Sequence, residues 1–106
     1  MILVVGCGYV GERAADLLQT QGLEVTGITH SAESAARLSQ TKRYPVLACD
    51  LSDAASVQAM ALSLATGPAA ILHCASSNRG GADMYKKVFV EGCGHLSRHF
   101  PETPIL

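Results

Sequence analysis

Three glycines in the stretch GCGYVG, at Gly6, Gly8 and Gly11, are the residues whose type and spacing bear most directly on chemistry. Glycine has no reactive side chain, so that chemistry belongs to the backbone, whose N–H groups can converge on an anion. A lone G-x-G-x-x-G says little, because loops use glycine freely, and the flanks must be read with it. Before it stand Ile2, Leu3, Val4 and Val5, a short apolar run suited to a strand buried on both faces of a parallel sheet. After it, from Tyr9 to Gln21, Val10, Ala14, Leu17 and Leu18 recur at helical spacing, with Gly22 as the residue just past the helix end. The glycines therefore fall at a strand-to-helix turn. There Gly6 permits the tight turn, Gly8 lets a pyrophosphate approach the backbone, and Gly11 lets helix and strand pack closely. The helix N-terminus adds free N–H groups and the positive end of its dipole.

A site of this kind usually places an acid about 20 positions beyond the glycines, where it binds ribose hydroxyls. This chain has Thr29, His30 and Ser31 there. Hydroxyls and an imidazole can donate hydrogen bonds to a 2′-phosphate that an acid would repel, so NADP is favoured over NAD, with Glu33 keeping NAD open. His30 reads equally as a phosphate contact or as a solvent-facing loop residue. Asp50 and Leu51 follow the third strand at the rim where an adenine would lie, and Asp50 reads equally as a turn residue bonding its own backbone ahead of a Ser52 cap. Cys74, Ala75 and Ser76 end the fourth strand with small side chains that leave room for a cofactor. His73, within AAILH, reads as a core histidine with its hydrogen bonds satisfied. His95 and His99 stand at i, i+4 without a nearby third ligand and read as a solvated face.

Further strands are expected at Glu24–Thr29, Pro45–Cys49 and Ala69–His73, and helices at Ser31–Gln40, Asp53–Ala65 and about Ala82–His99, the last weakened by Gly92 and Gly94. Cys74–Gly81 reads as a loop, and Thr103–Leu106 as the first residues of a fifth strand. Alternation of this kind specifies a Rossmann-type α/β fold: a doubly wound parallel sheet in three α/β/α layers, ordered 3-2-1-4-5 and truncated at the fifth strand. The 106 residues form one domain, 48% apolar and 16% charged, with a net charge of -1. No run of like charges suggests nucleic acid or an anionic membrane as partner. No signal peptide or membrane-spanning stretch is read, so a cytoplasmic location is expected. Cys7, Cys49, Cys74 and Cys93 match no C-x-x-C pattern and read as free thiols, three of them near the ligand-binding ends of strands.

In order, MILVVGCGYVG, GITHS, VLACDLSD, ILHCASS and MYKKVFVEGCGHL resemble successive landmarks of the extended short-chain dehydrogenase/reductase superfamily, in its NAD-dependent epimerase/dehydratase branch. The resemblance implies that Gly6, Gly8 and Gly11 cradle the pyrophosphate of a dinucleotide and that Tyr9 and Val10 line the loop. It implies that His30 and Ser31 meet the adenosine ribose or its phosphate, that Asp50 and Leu51 hold the adenine, and that Ala75 and Ser76 border the cofactor. VFVEGCGHL resembles the family's Asn-Val-x-Gly-Thr-x-Asn-Leu helix, with Phe89 where an Asn is usual.

In that family a Ser or Thr after the fifth strand and a Tyr-x-x-x-Lys beyond it transfer the proton. Here Tyr9, Tyr44 and Tyr85 are followed four positions on by Arg13, Ala48 and Phe89, so no catalytic residue is assigned. The chain resembles the N-terminal, dinucleotide-binding portion of an enzyme acting by hydride transfer on a small molecule. Two other classes stand beside that reading: a stand-alone NADP-binding or sensing module, and an interaction fragment. If the chain is the whole molecule, the open apolar edge beside the fourth strand predicts a homo-oligomer.

Overall fold

The computed structural model describes residues 1–75 and 81–106, apart from the side chains of Met84 and Tyr85. Four strands, β1 (Ile2–Val5), β2 (Val25–Thr29), β3 (Val46–Ala48) and β4 (Ala70–His73), form one sheet in the order β3-β2-β1-β4. Every pairing is parallel, with Leu3 opposite Thr26 on one side and Ile71 on the other. The expected fifth position is held by a parallel bridge between Ile71 and Ile105. Ile71 donates its N–H to the Pro104 carbonyl at 2.9 Å, and Leu106 donates to the Ile71 carbonyl at 2.8 Å.

The helices divide between the two faces of the sheet. Alternation along β1 sends Val4 one way and Leu3 and Val5 the other, because successive strand residues point to opposite faces. Val4 packs with Val25, Val46 and Tyr44 against Ala15 of α1 (Tyr9–Thr20) and Ala35 and Leu38 of α2 (Ala32–Ser39). Leu3, Val5 and Ile71 pack with Val57 and Met60 of α3 (Ala54–Ser63) and Leu96 of α5 (Gly92–His99). Each fully buried Val, Leu or Ile contributes about 1.5–3 kcal/mol. Since β1 lies between strands whose connections run on opposite faces, the crevice at its C-terminal end is the topological switch point of the sheet.

Local signals account for most boundaries. Gly22 ends α1 with φ +86, the left-handed geometry that favours glycine. Ser31 caps α2, its Oγ accepting the Ser34 N–H at 3.1 Å. One expectation is corrected. The cap of α3 is Asp53, whose Oδ1 accepts the Ala55 N–H at 3.1 Å, while Ser52 turns its N–H and hydroxyl toward Asp50. The helix expected over about Ala82–His99 is present as one continuous run of α4 (Gly81–Tyr85), a π-helical stretch (Lys86–Glu91) and α5. Gly92 is no weak point. Its missing side chain lets α5 close on Leu51, whose Cβ would stand 3.2 Å from a Cβ there.

The glycine-loop helix is also tied sideways. Lys42 and Tyr44, in the connection from α2 to β3, both reach Asp16 of α1: Lys42 Nζ donates to Oδ2 at 2.9 Å and Tyr44 Oη to Oδ1 at 2.8 Å.

Candidate functional site

The β1–α1 turn is held by its own backbone. Gly6 and Cys7 both donate their N–H groups to the Ile28 carbonyl, at 2.8 and 2.9 Å, which fixes the turn to the end of β2. Gly6 has φ +88, and a Cβ on it would fall on the backbone of Ala75. A Cβ on Gly11 would fall on the Gly6 carbonyl oxygen, so helix and strand touch with nothing between them. Gly8 differs: a Cβ there would meet nothing within 4 Å. It is the N-cap of α1, has no side chain to cap the helix, and leaves the first-turn N–H groups without that partner. Two glycines therefore serve close packing, and the third keeps space open in front of a helix N-terminus.

That space belongs to a cavity of about 660 Å³ over the C-terminal ends of the strands, within the range of small-molecule sites. Gly6, Gly8, Tyr9 and Val10 form one wall, His30 a second, Asp50 and Leu51 a third, and Ala75 a fourth. Gly11 lies behind the loop rather than on the wall. Ser31 is occupied in capping α2 and is not on the wall either. Ser76 falls outside the described residues. Asp50 carries both of its readings: its Oδ1 accepts the N–H and hydroxyl of Ser52 at 3.0 and 2.6 Å, and the residue still lines the cavity. Tyr9 is exposed and steadied by Arg13, which donates to its hydroxyl at 3.0 Å and lies over its ring.

Sequence reasoning missed Ser34 and Arg37, which line the cavity beside His30. Their i, i+3 spacing on a helix starting at Ser31 puts both on one face, the available signal. It also missed Val88, which reaches the wall from the π-helical stretch.

The histidines depart from expectation. His95 is no solvated residue: its Nδ1 lies 2.8 Å from the Leu51 carbonyl and ties α5 to the cavity rim. His73 is only partly satisfied. Its Nε2 lies 3.4 Å from the Val88 carbonyl, its ring stacks on Phe89 at 5.2 Å, and its buried Nδ1 has no partner among the described residues. Burial holds its pKa below the ordinary value. Burial also raises the thiols, with Cys7 pushed up to about 11 and Cys49 and Cys74 shifted the same way. Thiols kept protonated are poor nucleophiles, so the three cysteines at the cavity act as packing. Among the described residues no group of three His, Cys, Asp or Glu side chains could hold a metal ion, and no helix is long and apolar enough to cross a membrane.

The sequence profile described as the NAD dependent epimerase/dehydratase family matches residues 2–90. The chain belongs to this family. Membership implies a nicotinamide dinucleotide as cofactor. Among solved structures, a short-chain dehydrogenase/reductase from Vibrio parahaemolyticus is similar with a TM-score of 0.77 and 15% identity, over 94% of this chain and 51% of that one. A ribose-5-phosphate isomerase from Brucella melitensis 16M gives a TM-score of 0.78 at 23% identity, over 94% of this chain and 44% of that one. A protein from Bacteroides thetaiotaomicron proposed to be an epimerase gives 0.68 at 19%, over 92% and 42%. At these identities the likeness shows the fold, and the chain spans about half the length of those proteins. A comparison with curated protein sequences yields no match. The parallel strand order, with the glycine turn and the cavity at its switch point, is the part of this chain that lies within the family match.

Proposed function

We propose that the chain is the dinucleotide-binding portion of an NAD(P)-dependent oxidoreductase or epimerase/dehydratase, and that it takes NADP in preference to NAD. The observation that carries the reading is the open space at Gly8, set between two glycines that cannot be replaced and facing an uncapped helix N-terminus. A diphosphate suits those donors, since backbone N–H groups and the helix dipole both favour negative charge there. Asp50 and Leu51 stand where an adenine would be held, with Ala75 on the opposite border. A bound nicotinamide dinucleotide supplies hydride transfer; this chain's residues bind and orient it.

The preference for NADP rests on the wall formed by His30, Ser34 and Arg37. It presents two nitrogen-bearing side chains and a hydroxyl and no carboxylate, and guanidinium is the side chain best matched to a phosphate. Titration of NADPH and NADH by calorimetry tests it. NADPH is expected to bind more tightly, and His30→Asp is expected to move the preference toward NADH by repelling the 2′-phosphate. Equal affinities in the parent protein would refute the choice of cofactor. A stand-alone sensing module remains the alternative function for the same site; NADPH oxidation linked to a small-molecule substrate by the intact protein would decide for the enzyme.

A further inference from the structure

Two carboxylates of α1 set an electrostatic problem for dinucleotide binding, the reading on which this inference rests. Glu12 donates its N–H to the carbonyl of Gly8, the N-cap, at 2.9 Å, and Asp16 follows one turn later. Carboxylates near a helix N-terminus suit the dipole but repel an anion arriving at the same end. Lys42 meets both of them. Its Nζ lies 2.7 Å from Glu12 Oε1 and 2.9 Å from Asp16 Oδ2, on a side chain only 15% exposed.

The cluster continues toward the floor of the glycine turn. Tyr44 donates to the second oxygen of Asp16, so that both of its oxygens are held. Although burial acts against it, these bonds from Lys42 and Tyr44 hold the Asp16 carboxyl below its ordinary pKa, while Glu12 and then Asp16 raise that of Lys42. The Tyr44 ring and the Cys7 thiol both stand against Gly27 of β2, at 3.4 and 2.8 Å from the position of a Cβ there. Cys7 is the second residue of the glycine turn. That residue also lines the cavity, so the cluster backs onto the cavity wall.

We propose that Lys42 is a positioning residue for the cofactor diphosphate: without touching the cavity, it cancels carboxylate charge behind the glycine turn and keeps that end of α1 receptive to an anion. One ammonium shared by Glu12 and Asp16 leaves a single net negative charge in the cluster, whereas its removal would leave two. A purely structural link between α1 and the α2–β3 connection would use the same contacts. Charge balance separates the two roles.

The test is calorimetric titration of the intact protein with NADPH at low and high salt, with folding checked by circular dichroism. Lys42→Met is expected to weaken binding by roughly three- to tenfold at low ionic strength, a difference that narrows as salt screens the charges. Adding Glu12→Gln to that variant is expected to recover most of the loss, and Lys42→Arg to retain parental affinity. Parental affinity in a folded Lys42→Met variant would overturn the proposal, as would a loss that Glu12→Gln fails to recover. Should Lys42→Met not fold, Glu12→Gln alone decides: equal or tighter binding supports the role, and weaker binding overturns it. A parent protein that binds no dinucleotide would instead overturn the underlying reading, and this inference with it.

Discussion

The turn that leaves β1 and the described helix that follows β4 are built differently. From β1 the chain turns within three residues, and backbone contacts specify the turn: Gly6 against Ala75, Gly11 against the Gly6 carbonyl. The helix over 81–99, with six π-helical residues in its middle, is held by side chains: His73 on Phe89, His95 on the Leu51 carbonyl. Such a turn as the first tolerates no added atom at Gly6 or Gly11 but asks little of its neighbours' identities. A helix held by side chains can be varied residue by residue, and π-helical turns of this kind recur at functional sites. On the proposed function, the first of the two would meet the diphosphate of the cofactor.

Substitutions can break or sharpen that contrast, beginning with the largest effect. Gly11→Val places a branched side chain on the Gly6 carbonyl, backbone that cannot yield, so a loss of more than about 3 kcal/mol or outright failure to fold is expected in urea denaturation. A folded variant within about 1 kcal/mol of the parent would show that the turn is not so constrained. Gly94→Ala, in α5 where a Cβ meets nothing within 4 Å, is expected to stabilise by up to about 1 kcal/mol through helix propensity. Destabilisation would mean that this helix, too, is limited by backbone contact.

The smallest effect is a pH dependence. Burial lowers the pKa of His73 from an ordinary value of 6.5, so the folded state takes up a proton less readily than the unfolded chain. Its contribution is complete above pH 6.5 and is lost as pH falls below that value toward the folded pKa. The melting temperature is therefore expected to decline from pH 7 to 5.5, and His73→Phe, which keeps a ring against Phe89, to flatten that decline. An unchanged slope in His73→Phe would assign it to other groups.

The legibility of the sequence follows the same division. The strands, their order and the glycine turn could be read because local patterns determine them: a β-branched run, a helical period and a glycine wherever the backbone has no room. The cap of α3 was misread because Ser52 and Asp53 are both good caps and only the Asx turn closed by Asp50 chooses between them. The π-helical stretch of the last helix was not legible, since no proline or other local pattern marks it. Lys42 was not legible because its two carboxylate partners are brought to it by tertiary packing against α1, which no local pattern records.

Gly8→Val tests the central claim most directly, because it is the glycine whose replacement the fold has room for and the ligand would not. Calorimetric titration of NADPH into the parent and the variant, with a thermal melt of each, is the measurement. The account predicts similar melting temperatures, binding by the parent and no detectable binding by Gly8→Val, whose side chain would fill the path of the diphosphate. Undiminished affinity in a folded Gly8→Val protein would contradict it.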